Sequence, residues 1–179
     1  MTQHLLRLGV NVVRFEFPYM AQRRQDGVRR PPNRMNVLQD HWREVYRQVC
    51  EQTDGPIVMA GKSMGGRVAS MLADELQASA LICFGYPFYP ARKPERPRIE
   101  HLQGLRTATL IIQGERDALG NRSTVESYSL SSMIEFEWLA MADHDLKPLR
   151  RSGYTHAQYL QRAAVRAVDF IKRNQVGGQ

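Results

Sequence analysis

Gly61-Lys62-Ser63-Met64-Gly65-Gly66 matches the pattern G-x-S-x-G, and its flanks give it a setting. The apolar run Ile57–Ala60 before it reads as a strand. After it, Met64–Leu76 places Val68, Met71, Leu72 and Leu76 on one stripe, the spacing of a helix. A sharp turn between the two forces Ser63 into a strained backbone conformation, and small neighbours let strand and helix approach closely. Ser63 Oγ is then presented at the helix amino end, with the Met64 N–H directed at a developing oxyanion. The plainer alternative is a glycine-flanked helix cap with an idle hydroxyl. A phosphate-binding loop ending in Gly61-Lys62-Ser63 is excluded, because it needs a glycine at position 56, where Pro56 stands.

Working outward, five short apolar runs punctuate the chain: Val10–Phe15, Ile57–Ala60, Ala80–Phe84, Thr109–Gln113 and Ile134–Leu139. The first four are continuous, as in strands buried on both faces. Helical periodicity separates them at Asn36–Gln52, Met64–Leu76 and, more weakly, Ser123–Ser132, and Thr155–Lys172 follows the last. This alternation predicts an α/β fold, a mainly parallel sheet with helices on both faces. With 179 residues, the chain is expected to form one domain over residues 1–173 with a flexible tail at 174–179. Hydrophobic residues make up 42% of it, enough for one core, and no apolar run approaches the roughly 20 residues of a membrane span. Two cysteines are too few for a disulfide framework, and no His/Cys/Asp cluster has metal-ligand spacing. Met1–Gly9 lacks a signal peptide's apolar stretch, so a cytoplasmic protein without metal or cofactor is expected.

In an open parallel sheet, ligands bind at the carboxyl ends of the strands. A serine nucleophile also needs a base, itself oriented by a carboxylate. Gln113-Gly114-Glu115-Arg116-Asp117 puts Asp117 just beyond the fourth run, and Ala142-Asp143-His144-Asp145 puts His144 beyond the fifth. Glu115 is a second candidate for the acid. Asp143 and Asp145 adjoin His144 in sequence, so their side chains diverge from it. His41 and His156 fall in or beside helices, His101 lies in a connecting segment, and Cys83 falls inside an apolar run.

The chain resembles the α/β-hydrolase superfamily. More narrowly, it is similar to a small, dienelactone-hydrolase-like group that includes a testis-expressed protein and a subunit of the nonspecific-lethal chromatin complex. The stretches that carry the likeness are Val13-Arg14-Phe15-Glu16-Phe17-Pro18-Tyr19-Met20, Gly61–Arg67, Gly85-Tyr86-Pro87-Phe88, Gln113–Asp117 and Asp143–Pro148. The chain order Ser63, Asp117, His144 is that of these hydrolases, and the resemblance implies those three as a triad. In similar hydrolases a strand and an oxyanion-hole loop, usually with His-Gly, precede the segment that begins here at Met1. The chain is therefore read as lacking amino-terminal strands, with Met1–Leu8 as the end of a helix. Three arrangements follow: a missing central strand, direct pairing of its neighbours, or a donated strand. Loss of one oxyanion donor costs about 10²–10³-fold in turnover.

Lys and Arg outnumber Asp and Glu by 25 to 18, a net charge of +7. Three windows, Gln22–Arg34, Tyr86–Arg98 and His144–Gly153, hold twelve basic and three acidic residues, and all follow the apolar runs. They are expected to form a positive rim attracting anionic small-molecule substrates, with Arg23 and Lys147 among the contacts. Tyr19, Tyr86, Phe88 and Tyr89 are expected to form an apolar lip beside it. A solvated arginine-rich surface is the bland alternative. The resulting expectation is a serine hydrolase of the esterase or thioesterase kind. A non-catalytic binding or scaffold protein is the rival. No nucleic-acid module or membrane segment is found, and a homodimer is allowed.

Overall fold

Four of the five apolar runs form a parallel sheet in the computed structural model, which describes residues 1–175. The strands are β1 (Val58–Lys62), β2 (Ala80–Phe84), β3 (Thr109–Gly114) and β4 (Ile134–Leu139), in spatial order β1-β2-β3-β4. Gly61 faces Cys83, Cys83 faces Ile111, and Ile111 faces Phe136, so the carboxyl ends of all four strands fall along one edge.

Alternation along each strand sends successive side chains to opposite faces. Leu81, Cys83 and Ile111 join a core with Leu38, Trp42, Val68, Ala69 and Leu72. Ile82, Phe84, Leu110 and Ile112 join the opposite core with Tyr159, Ala163, Ala167, Phe170 and Ile171. The first face is covered by α3 (Met35–Cys50) and α4 (Met64–Ser70), the second by α1 (Thr2–Arg7) and α7 (His156–Gln175). The short helices α5 (Glu100–Gln103) and α6 (Arg122–Val125) sit in crossovers. Arg162 and Arg166 of α7 pair with Glu137 and Glu135 of β4, which ties the last helix to the sheet edge. No described helix is long and apolar enough to cross a membrane.

Val10–Phe15 corrects the expectation of a fifth strand. It pairs with nothing in the sheet; Val10 leans on one core and Phe15 on the other. An isolated extended run has no ladder to complete, so β-branched residues alone do not make it a strand. Direct pairing of Val10–Phe15 with β1 therefore does not occur, and among the described residues the outer edge of β1 is unpaired. Other boundaries differ too, and the expected helical stretch Ser123–Ser132 is helical only over α6. The helix after Ser63 ends at Ser70, with i→i+3 turns carrying the chain on. α7 runs through Gln175, so only 176–179 of the expected tail lie outside the described residues.

The arginine-rich window after Phe15 also holds an unexpected helix, α2 (Pro18–Asp26). Pro18 occupies its first turn and Gly27, at φ 72°, caps its end. Proline inside the start and glycine past the end mark a helix in sequence, although α2 lacks a buried stripe.

Candidate active site

Ser63 joins β1 to α4 with φ 52° and ψ −119°, a strained conformation for a side chain other than glycine. Its amide donates to the Phe84 carbonyl and its carbonyl accepts from the Arg67 amide, both at 3.0 Å. The turn is this tight because two glycines touch. A Cβ on Gly61 would overlap the Gly65–Gly66 backbone, and one on Gly66 would come 2.8 Å from the Gly61 carbonyl oxygen.

His144 Nε2 lies 2.8 Å from Ser63 Oγ, and His144 Nδ1 lies 2.8 Å from Asp117 Oδ2. Asp117 is wholly buried, while a quarter of the His144 side chain is exposed. The Leu119 amide donates to Asp117 Oδ1 and the Gln113 side chain to Oδ2, each at 2.8 Å. Asp117 thus accepts from all sides. His144 donates from Nδ1, and Nε2 is left to accept from the Ser63 hydroxyl. Among the described residues, no acceptor takes up the Met64 N–H at the start of α4.

The loop carrying His144 is held from both ends. Asp143 Oδ1 accepts from the Asp145 and Lys147 amides, folding the loop on itself. Lys62 Nζ donates to the His144 carbonyl at 2.9 Å and pairs with Asp145 at 3.0 Å. Lys62 holds the Asp145 carboxyl below its ordinary range. Gly85, at φ +60°, passes under the loop where a Cβ would meet the His144 carbonyl at 2.5 Å. Glu115 is turned away, accepting from Arg122 and the Met141 amide. Sequence reasoning missed Lys62, which bonds to the His144 loop, and Gln113, which bonds to Asp117. Gln113 was readable only as the last residue of a strand, and Lys62 only as a variable position in a motif.

The expected lip is not one. Tyr86, Phe88 and Tyr89 are buried in the core, and Tyr86 OH is engaged by Ser70 and His101. The residues after β2 turn under the sheet edge, which apolar character alone does not reveal. Tyr19 and Arg23 instead share a surface groove of about 300 Å³ on α2, with Glu16, Met20 and Arg24. Arg23 and Arg24 lie on a helix, not in a loop following a strand of the sheet. Lys147 is exposed on the His144 loop. Among the described residues, no hydrogen bond or ion pair links Tyr19, Arg23 or the Lys147 side chain to Ser63, Asp117 or His144.

A second serine–histidine contact, Ser70 Oγ to His101 Nε2 at 2.9 Å, lacks the features of the first. Ser70 is only 2% exposed, and no described carboxylate bonds the other nitrogen of His101.

A family model described as an alpha/beta hydrolase domain matches residues 1–172. No curated protein matches the sequence. Among solved structures, a putative hydrolase of the alpha/beta superfamily from Xanthomonas campestris pv. campestris is similar with a TM-score of 0.64 and 19% identity. That likeness covers 94% of this chain and 86% of the other. An alpha-beta serine hydrolase homologue from Coxiella burnetii gives 0.55 at 18% identity, over 82% of this chain and 62% of that one. The esterase domain of a Rhodothermus marinus protein gives 0.55 at 17% identity, over 75% and 68%. At these identities the likeness is one of fold, and the chain spans 62% of the length of the Coxiella homologue.

Proposed function

The chain belongs to the alpha/beta-hydrolase family, and from that premise we propose that it cleaves an ester or thioester by acyl transfer to Ser63. Ser63 Oγ attacks the acyl carbon while His144 Nε2 takes its proton. The oxygen that becomes negative accepts from the Met64 N–H. His144 then protonates the departing alcohol or thiol, leaving an acyl-enzyme. Water, deprotonated by the same nitrogen, releases the acid and restores Ser63. Asp117 keeps the hydrogen on Nδ1 and stabilises the imidazolium that forms at each step. The basic windows after β2 and β4 support a preference for anionic substrates. The stretches that resemble the testis-expressed and nonspecific-lethal group support a place in that branch.

One observation carries this reading: an unbroken chain of two 2.8 Å contacts from Ser63 through His144 to Asp117. A fluorophosphonate probe tests it. We expect covalent labelling of the folded chain, lost in Ser63→Ala and retained in Ser70→Ala. Absence of labelling on well-folded protein would favour the non-catalytic binding reading instead.

A further inference from the structure

Arg67 stands one turn into α4, where side chains lean toward the helix amino end and the carboxyl edge of the sheet. Its Nε is shut off from water, and no described protein atom accepts from it. Beneath it, Ser70 Oγ donates to the Arg67 carbonyl at 2.8 Å and meets Tyr86 OH at 3.1 Å and His101 Nε2 at 2.9 Å. Tyr86 OH lies 3.0 Å from the same nitrogen, so both hydroxyls use one side of the His101 ring. Nδ1 has no partner among the described residues.

Arg98 enters from the loop before α5, its amide fixed to the Phe88 carbonyl at 2.7 Å. Burial first, and the Arg67 charge second, pull the Arg98 guanidinium below its ordinary value. Burial and Arg67 also hold His101 below its ordinary value. Glu100 is the acid that acts on His101, but it is exposed and pairs with neither arginine. Both arginines are half-buried, and among the described residues neither pairs with a carboxylate, an arrangement that is costly until an anion enters.

We propose that Arg67 and Arg98, with His101 beside them, bind a tetrahedral dianion of the phosphate class one helical turn from Ser63. Two planar forks match the charge and oxygen geometry of such a dianion better than those of a single carboxylate. The phosphate is either carried by the substrate or free in solution. Only the first source rests on the hydrolytic reading.

The test is titration of the full chain with inorganic phosphate, followed by calorimetry and by thermal melting, in chloride at matched ionic strength. We expect saturable binding, a melting point raised by several °C, and acetate at least about tenfold weaker. Arg67→Met and Arg98→Met should melt at or above the unsubstituted protein in chloride, since an uncompensated charge is gone, and weaken phosphate at least about tenfold. Arg67→Lys, which keeps charge but loses the fork, should fall between. Arg92→Gln and Arg96→Gln, on the exposed loop after Tyr89, should change affinity less than twofold. The proposal fails if phosphate does no more than chloride, if those loop variants weaken it equally, or if the Met variants melt lower with affinity intact. The two sources are then separated with a phosphate-bearing ester and a neutral one. A kcat/KM loss in Arg67→Met at least about tenfold greater for the phosphate-bearing ester identifies the substrate. Equal losses beside a lost phosphate response identify free phosphate. Failure of fluorophosphonate labelling with phosphate binding intact would sink the hydrolytic reading and leave this site standing.

Discussion

Lys62 occupies a variable position of the G-x-S-x-G turn, yet it is the side chain that straps the His144 loop to β1. Its ammonium leaves the hydroxyl and imidazole untouched, so its loss should act through placement. Lys62→Met is expected to slow fluorophosphonate labelling about tenfold, the worth of one partly exposed charged hydrogen bond, with Lys62→Arg recovering most of the rate. An unchanged rate would remove Lys62 from the mechanism. Ser63, Asp117 and His144 were legible because each follows an apolar run, and parallel strand ends share an edge. Lys62 was not, because its partner is a backbone carbonyl 82 residues away. The burial of Tyr86 and Phe88 was equally hidden: an aromatic after a strand turns outward or inward according to what packs beneath it, here Ser70 and His101 for Tyr86 and Tyr128 and Phe136 for Phe88.

At the scale of elements, the turn between β1 and α4 depends on Gly61 and Gly66 in contact. Gly61→Ala sets a methyl against backbone that has no room to yield. It should cost at least about 3 kcal/mol in urea unfolding, at the upper end for overpacked sites. A smaller loss would mean that the helix can slide away from the strand. β2 and β4 were legible to the residue, β2 as a continuous apolar run and β4 through the alternation of Glu135 and Glu137 with apolar residues. α2 was missed because arginine and glutamine give it no apolar stripe, although Pro18 and Gly27 bracket it. Val10–Phe15 reads as a strand by composition and fails as one for want of a neighbour, a property no local pattern carries.

Over the whole molecule, several carboxyls are held below their ordinary range. Arg43 lowers Glu75, Arg173 lowers Glu135 and Lys62 lowers Asp145. For Asp74, burial pushes upward, but donors on Thr107 and Arg106 outweigh it. A depressed folded value means that the unfolded chain binds more protons, so stability is complete above the unfolded value and falls as pH drops through the folded one. His101, also depressed, obeys the same sign from its higher starting point. The urea midpoint should therefore be level above about pH 6.5, decline gently below it and steeply below about pH 4. A midpoint that rises on acidification would contradict these assignments.

The strand that leads into Ser63, the proposed nucleophile, is an edge strand, with β2 on one side and no described strand on the other. Half of its main-chain groups therefore lack the sheltering ladder that β2 and β3 enjoy from both sides. In heavy water, amides across 58–62 should take up deuterium well ahead of those across 80–84 and 109–114. The strand that leads into Ser63 would then be the most readily loosened of the three, so anything that pins its bare flank would also steady the proposed nucleophile.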